Sequence, residues 1–101
     1  MDLNKAARRA YNNALARGKV TKAVNHEETV STLSEEFEEM RRAGEEETSE
    51  HLREYTEIQE ELADIIIGSM TELMKRGTDI EMLLHRKLKF NEARVKDSYE
   101  K

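Results

Sequence analysis

The chain contains no proline, and its apolar residues recur every three or four positions rather than in alternation. Proline would interrupt a helix and alternation would indicate strands, so the pattern predicts an all-α fold. The glycines stand where helices end or pack closely. The predicted helices run from about Leu3 to Arg17, from Asn25 to Gly44, from Thr48 or Ser49 to Gly77, and from Thr78 onward.

The length and the number of helices predict one domain, residues 1–101, with a four-helix bundle-like architecture. Apolar residues make up only 37% of the chain, which is low for a monomer of 101 residues that must bury its own core. We therefore expect the protein to assemble as a homo-oligomer.

Composition excludes several classes of partner and site. The formal net charge of −5 disfavours nucleic acid polymers and anionic membrane surfaces as partners. The absence of cysteine removes disulfides and thiolate metal sites. The longest apolar run, Ile65 to Ile67, is far too short to span a membrane, and the N-terminus lacks a secretory signal. A cytoplasmic location is the default expectation.

Two predicted helices carry carboxylates beside their apolar stripes. At 100° per residue, Glu36 lies about 60° and Glu39 about 120° from Leu33 on the second helix. On the third helix, Glu61 and Asp64 have the same offsets from Ile58, to the same side. Their neighbours Glu35, Glu38 and Glu60 face away. The matched pairs predict one shared acidic site.

Four carboxylates in a partly buried space require a compensating cation. No lysine or arginine is interleaved on those flanks, and a set of oxygen ligands suits Mg²⁺, with Mn²⁺ as a substitute. Zinc and di-iron sites are disfavoured because the three histidines have no common spacing. The alternative is that each carboxylate is simply solvated, and the repetition of the pattern on two helices argues against it.

These residues resemble the MazG-like all-α nucleoside triphosphate pyrophosphohydrolases over roughly positions 30 to 95. The family signature of Glu-Glu-x-x-Glu on one helix and Glu-x-x-Asp on the next matches Glu35, Glu36 and Glu39, then Glu61 and Asp64. The likeness continues through Ile65-Ile66-Ile67, the Gly77-Thr78-Asp79-Ile80 turn, and the triplet Lys87, Asn91 and Arg94.

The resemblance implies a homodimeric or homotetrameric helical bundle. It implies Mg²⁺-dependent hydrolysis of a nucleoside triphosphate between the α and β phosphates, giving a monophosphate and pyrophosphate, as in clearing unwanted nucleotides from the pool (housecleaning). The implied metal ligands and catalytic residues are Glu36, Glu39, Glu61 and Asp64, with Glu35 as a candidate base or support for the ligands. The implied substrate-binding residues are Lys87 and Arg94 for phosphate oxygens and Asn91 for amide hydrogen bonds.

Other interpretations remain open at this stage. The chain would instead be a noncatalytic helical interaction module if the acidic faces only confer solubility. A related enzyme would act on a phosphoribosyl-linked or diphosphate nucleotide. Asn25 and His26 are weak candidates for base contacts, and we favour Asn25 as a helix cap. Tyr55 is better explained by core packing than by stacking on a base.

Overall fold

The computed structural model describes the backbone of residues 1–100 and the side chains of residues 1–95. Within that range it contains four helices and no strand, which confirms the all-α prediction; the only strand-like pairing there is an isolated bridge between Thr48 and Thr56. No helix in this part of the chain has the length and apolar character needed to cross a bilayer. The helices are α1 (Leu3–Ala16), α2 (His26–Arg42), α3 (Glu57–Lys75) and α4 (Ile80–Glu100).

The predicted start of the third helix at Thr48 or Ser49 is wrong, because α3 begins at Glu57. The Thr56 hydroxyl accepts from the Gln59 N–H and the Gln59 side chain accepts from the Thr56 N–H, which makes a complete capping box. The preceding segment folds back on itself instead of turning helically, with Ser49 N–H donating to the Tyr55 carbonyl at 2.9 Å. Tyr55 therefore lies before α3 and is 53% exposed, so the expectation that it packs in the core is wrong.

The connection between α1 and α2 is fixed at its first residues by a Schellman motif. Gly18 has a φ of +69°, its N–H donates to the Leu15 carbonyl, and the Lys19 N–H donates to the Ala14 carbonyl. The next residue, Val20, is buried. This geometry ends α1 and sets the direction in which Lys19 leaves the helix.

A charge network ties the remainder of this connection to α2 and α3. Glu28 accepts from both the backbone N–H and the hydroxyl of Thr21 at 2.7 Å. The Lys75 ammonium, on a fully buried side chain, lies 3.3 Å from Glu28 and 3.2 Å from Glu72, and it donates to the Ala23 carbonyl. Buried charges are stable only when paired in this way, so the network holds the α1–α2 connection in place.

Helix α3 lies at the centre of the fold and packs against α1, α2 and α4. Its approach to α2 is close, since a Cβ atom placed on Gly68 would lie 3.2 Å from Cδ2 of Leu33. Gly68 is therefore one of the glycines at which two helices pack closely. The buried apolar side chains within the described range are few and mostly small: Ala7, Ala14, Val20 and Ile80.

Helix α4 is joined to the other helices chiefly at its first turn. Asn4 accepts from the Ile80 N–H at 2.8 Å and donates to Asp79, whose carboxylate also accepts from the Met82 N–H. Helix α4 therefore begins at Ile80, after a cap at Asp79, and not at the predicted Thr78. Every residue from 81 to 95 is exposed. The radius of gyration is 16.1 Å, against about 13 Å for a compact chain of this length, so the monomer is extended.

The Schellman motif predicts that Gly18→Ala destabilises the protein by about 1–2 kcal/mol, because an L side chain is strained at positive φ. The free energy of unfolding from urea titration measures the change. Asn12→Ala, an exposed substitution inside α1, serves as the control and is expected to change stability by less than about 0.5 kcal/mol. Equal effects of the two substitutions would contradict the assignment.

Candidate metal centre

Four carboxylates from two helices converge at the α2–α3 interface. One oxygen from each of Glu36, Glu39, Glu61 and Asp64 can be chosen so that all four lie within 4.8 Å of one another. We call these four residues the acidic cluster. Glu36 is only 3% exposed, whereas Glu39 is exposed and the two α3 residues are half-buried. The structure thus brings together the four residues that the helical geometry selected.

The close approach of the two helices explains this convergence. Glu36 follows Leu33 by three positions and Asp64 precedes Gly68 by four, so each carboxylate lies one turn from the Leu33–Gly68 contact. Packing that brings Leu33 against Gly68 therefore also brings the carboxylates together. The same helix interface fixes both the packing and the separation of charges.

The electrostatics of the acidic cluster are unfavourable without a cation. Burial raises the pKa of the Glu61 carboxyl to about 7, and the neighbouring charges of Asp64, Glu39 and Glu36 add to the rise. Burial and the charge of Glu36 also raise the pKa of Asp64. Like charges at such distances disfavour each other's ionisation. The cluster therefore retains protons where isolated carboxylates would have lost them.

Two buried oxygens in the acidic cluster are available to bind a cation. Oε2 of Glu36 and Oε2 of Glu61 are inaccessible to solvent and have no hydrogen-bond partner within the described part of the chain. Buried polar atoms are rarely left in that state. Ligand oxygens on opposite sides of one Mg²⁺ lie about 4.2 Å apart, so a contraction of a few tenths of an ångström would fit the cluster around an ion. The residues present fit a hard divalent cation.

The helix flanks carry no lysine or arginine, as the sequence indicated, but a lysine from outside both helices compensates part of the charge of this site. The Lys19 ammonium forms an ion pair with Oε1 of Glu36 and lowers the pKa of Asp64 against the stronger effects that raise it. Lys19 was missed because it comes from the α1–α2 connection, 17 positions before Glu36, and not from either helix flank. The turn signal at Gly18 was the only local hint of its position.

Glu60 is not one of the four clustered oxygen donors, although its charge raises the pKa of Glu61 and of Asp64, and it is held by the segment before α3. The Ser49 hydroxyl donates to Glu60, and Nδ1 of His51 lies 2.9 Å from its other oxygen. These contacts lower the pKa of Glu60 and raise that of His51. Glu60 thus has its own partners and is separate from the four clustered oxygens.

The remaining candidates lie outside the acidic cluster. Glu35 is exposed on the side of α2 away from the stripe. Lys87 and Arg94 flank the ring of Phe90 on the exposed part of α4, with cation to ring distances of 4.9 and 5.8 Å, and Asn91 is exposed beside them. A single chain therefore does not combine the basic triplet with the acidic cluster into one compact site.

The candidate base contacts also have simpler structural roles. The Asn25 side chain accepts from the Glu28 N–H at 3.0 Å and caps α2, which confirms the favoured interpretation of that residue. His26 is exposed at the start of the helix.

Comparison with known proteins identifies no relative. No protein-family model, no curated protein and no solved structure matches the chain.

The raised pKa of Glu61 predicts a pH-dependent stability of the metal-free protein. The folded state binds a proton at Glu61 with a pKa of about 7, against an ordinary value of 4.5. Between these values the folded state holds more protons, so this group's contribution to stability falls as pH rises. Glu61→Gln removes that loss. Its melting temperature relative to the parent protein should rise from about pH 5 to about pH 8.

Differential scanning fluorimetry in the presence of a metal chelator measures this difference in melting temperature between Glu61→Gln and the parent protein. Glu38→Gln, an exposed change on α2, is the control and should show a difference from the parent that varies little with pH. A constant difference between Glu61→Gln and the parent across the range would contradict the raised pKa.

Proposed function

We propose that the protein is a Mg²⁺-dependent hydrolase that cleaves a nucleoside triphosphate between the α and β phosphates, releasing pyrophosphate. The observation that carries the proposal is the acidic cluster, with its buried oxygens of Glu36 and Glu61 that lack partners. Such a donor set suits a hard cation, and Mg²⁺ commonly shares its coordination between carboxylates and substrate phosphates. The resemblance of these residues to the MazG-like signature selects the reaction from those open to such a site.

The reaction is the attack of water on the α phosphorus, with the α–β bridging oxygen leaving as part of pyrophosphate. A bound Mg²⁺ would neutralise phosphate charge and lower the pKa of a water molecule. The buried Glu36 would hold the cation, and Glu39, Glu61 and Asp64 would complete its protein ligands. Cation binding would lower the pKa of Glu61 from its raised value and keep its carboxylate ionised as a ligand. Glu35 remains a candidate base only if substrate binding moves it.

The same fold and metal site would also serve hydrolysis of a phosphoribosyl-linked or diphosphate nucleotide. A noncatalytic helical interaction module is the other candidate, and the large exposed apolar surface favours it. Pyrophosphate release, nucleotide consumption and metal binding separate the three possibilities in one set of assays.

We expect pyrophosphate release from a panel of canonical and modified nucleoside triphosphates to require Mg²⁺. Glu61→Gln should reduce the rate by roughly 100-fold or more, because even groups that only support metal ligands typically contribute 10 to 100-fold. Glu38→Gln is the matched control on the outer face of α2 and should retain activity. A folded protein that neither releases pyrophosphate nor binds Mg²⁺ would exclude the enzyme and favour the interaction module.

We further propose that a second copy of the chain covers the exposed apolar surface. The described monomer leaves large apolar side chains exposed on three helices, which is unusual for a soluble chain on its own. The positive charge of Lys87 and Arg94 on α4 complements the acidic cluster of another copy. An assembly that apposes them would supply the phosphate-binding groups. The exposed side chains on these helices are Val30, Phe37, Leu62, Ile66, Ile67, Met82, Leu83, Leu84, Leu88, Phe90 and Val95.

A charge in this surface should break the assembly. Leu88 is 60% exposed on α4, and Leu88→Glu should convert the dimer or tetramer to monomer in sedimentation velocity, because a buried unpaired charge is costly. Arg86→Gln changes the net charge equally on the other side of α4 and should leave the assembly intact. A parent protein that sediments as a monomer at all concentrations would contradict the proposal.

A further inference from the structure

The α1–α2 connection delivers one cation to the acidic cluster from outside both ligand helices. The Schellman motif at Gly18 fixes the backbone of Lys19, and the contacts between Thr21 and Glu28 hold the connection beyond it. The Lys19 ammonium therefore reaches Glu36 from a backbone position that is held in place. Only the four-carbon side chain needs to move for the ammonium to leave.

Lys19 and a metal ion would compete for the same atom. The ammonium is paired with Oε1 of Glu36, the most buried member of the acidic cluster. A dication on that carboxylate would repel the ammonium, because two cations beside one carboxylate are close enough to interact strongly in a partly buried site. The side chain of Lys19 is 38% exposed and that of Glu36 only 4%, so it is the lysine that can withdraw.

The space beside Lys19 provides a place for the displaced ammonium. A cavity of about 120 Å³ lies between α1 and α3, and its lining includes Lys19, Arg17, Asn13 and Asp64. Asp64 belongs both to this lining and to the acidic cluster, so the two spaces adjoin. A phosphate group bound to a cation at the cluster would lie next to these positively charged side chains.

We propose that Lys19 is an exchangeable counter-ion of the acidic cluster that, on metal binding, leaves Glu36 and binds a phosphate oxygen of the substrate. The metal-exchange half rests on the acidic cluster alone, and the phosphate half rests on the proposed function. Lysine suits this role because its ammonium is a compact charge on a flexible stem. The resulting site keeps a positive charge near Glu36 before the metal arrives and near phosphate afterwards.

This proposal predicts opposite effects of one substitution on two ligands. Lys19→Met removes the competing cation, so Mn²⁺ alone should bind roughly tenfold more tightly, a change that corresponds to 1.4 kcal/mol. With the site saturated by Mn²⁺, inorganic pyrophosphate should bind roughly tenfold more weakly, because a charge-assisted contact is lost. If the ion pair were purely structural, Lys19→Met would lower the thermal stability without shifting the Mn²⁺ and pyrophosphate affinities in opposite directions.

The experiment measures Mn²⁺ binding by electron paramagnetic resonance and pyrophosphate binding by calorimetry for the full chain. Lys22→Met, an exposed change in the same connection, is the control and should match the parent in both. Lys19→Arg keeps the charge and should retain most of the pyrophosphate affinity. Circular dichroism establishes that each variant is folded.

Unchanged or weaker Mn²⁺ binding by Lys19→Met would overturn the proposal, as would unchanged pyrophosphate affinity. Failure of the parent to bind Mn²⁺ would overturn it too. Neither binding measurement requires hydrolysis, so the role of Lys19 can be tested even in a protein that hydrolyses no nucleotide. If the opposite shifts occur but no nucleotide is hydrolysed, the assigned reaction is wrong and the role of Lys19 stands.

Discussion

The repulsion among four carboxylates at the α2–α3 interface is the constraint on which the site depends. The two helices approach closely because Gly68 leaves room for Leu33, and that approach places Glu36 and Asp64 in one partly buried space. Burial in this space, together with the charges of the neighbouring carboxylates, raises the pKa of Glu61 to about 7. Burial of this charge is costly without a cation, and a bound cation would offset that cost, so the proposed metal site would couple metal binding to folding.

The small core sets a second constraint, on the form of the whole molecule. The side chains that α1 and its connection bury are alanines and one valine, which remove little apolar area from water. The polar network of Glu28, Glu72 and Lys75 therefore has a large part in fixing the α1–α2 connection. Helix α4 takes part in the monomer mainly through its first turn, and its exposed leucines remain available for intermolecular packing. A thin core and an exposed fourth helix are two results of the same composition.

Helical periodicity predicted what depends on residues close together in sequence. The all-α fold, the cap at Asn25 and the flanks of the four carboxylates all follow from spacings of three or four residues. The start of α3 was missed because Leu52 and Tyr55 continue an apolar spacing into a segment that is not helical. The backbone bonds between Ser49 and Tyr55 and the capping box at Thr56 decide the boundary. These local hydrogen bonds place the start of α3 at Glu57 and not at Thr48 or Ser49.

Lys19 was beyond such reasoning because its role depends on how a connection folds over another helix. A sequence pattern predicts which face of a helix a residue lies on. It does not predict which distant residue a side chain in a turn will contact. The Schellman motif makes the contact with Glu36 possible, because it fixes the backbone of Lys19 just beyond Gly18. One ammonium is nevertheless insufficient for four carboxylates, since Glu61 and Asp64 keep raised pKa values in its presence. The charge that remains uncompensated is the physical reason to propose a divalent cation at this site, with the lysine as an additional positive group.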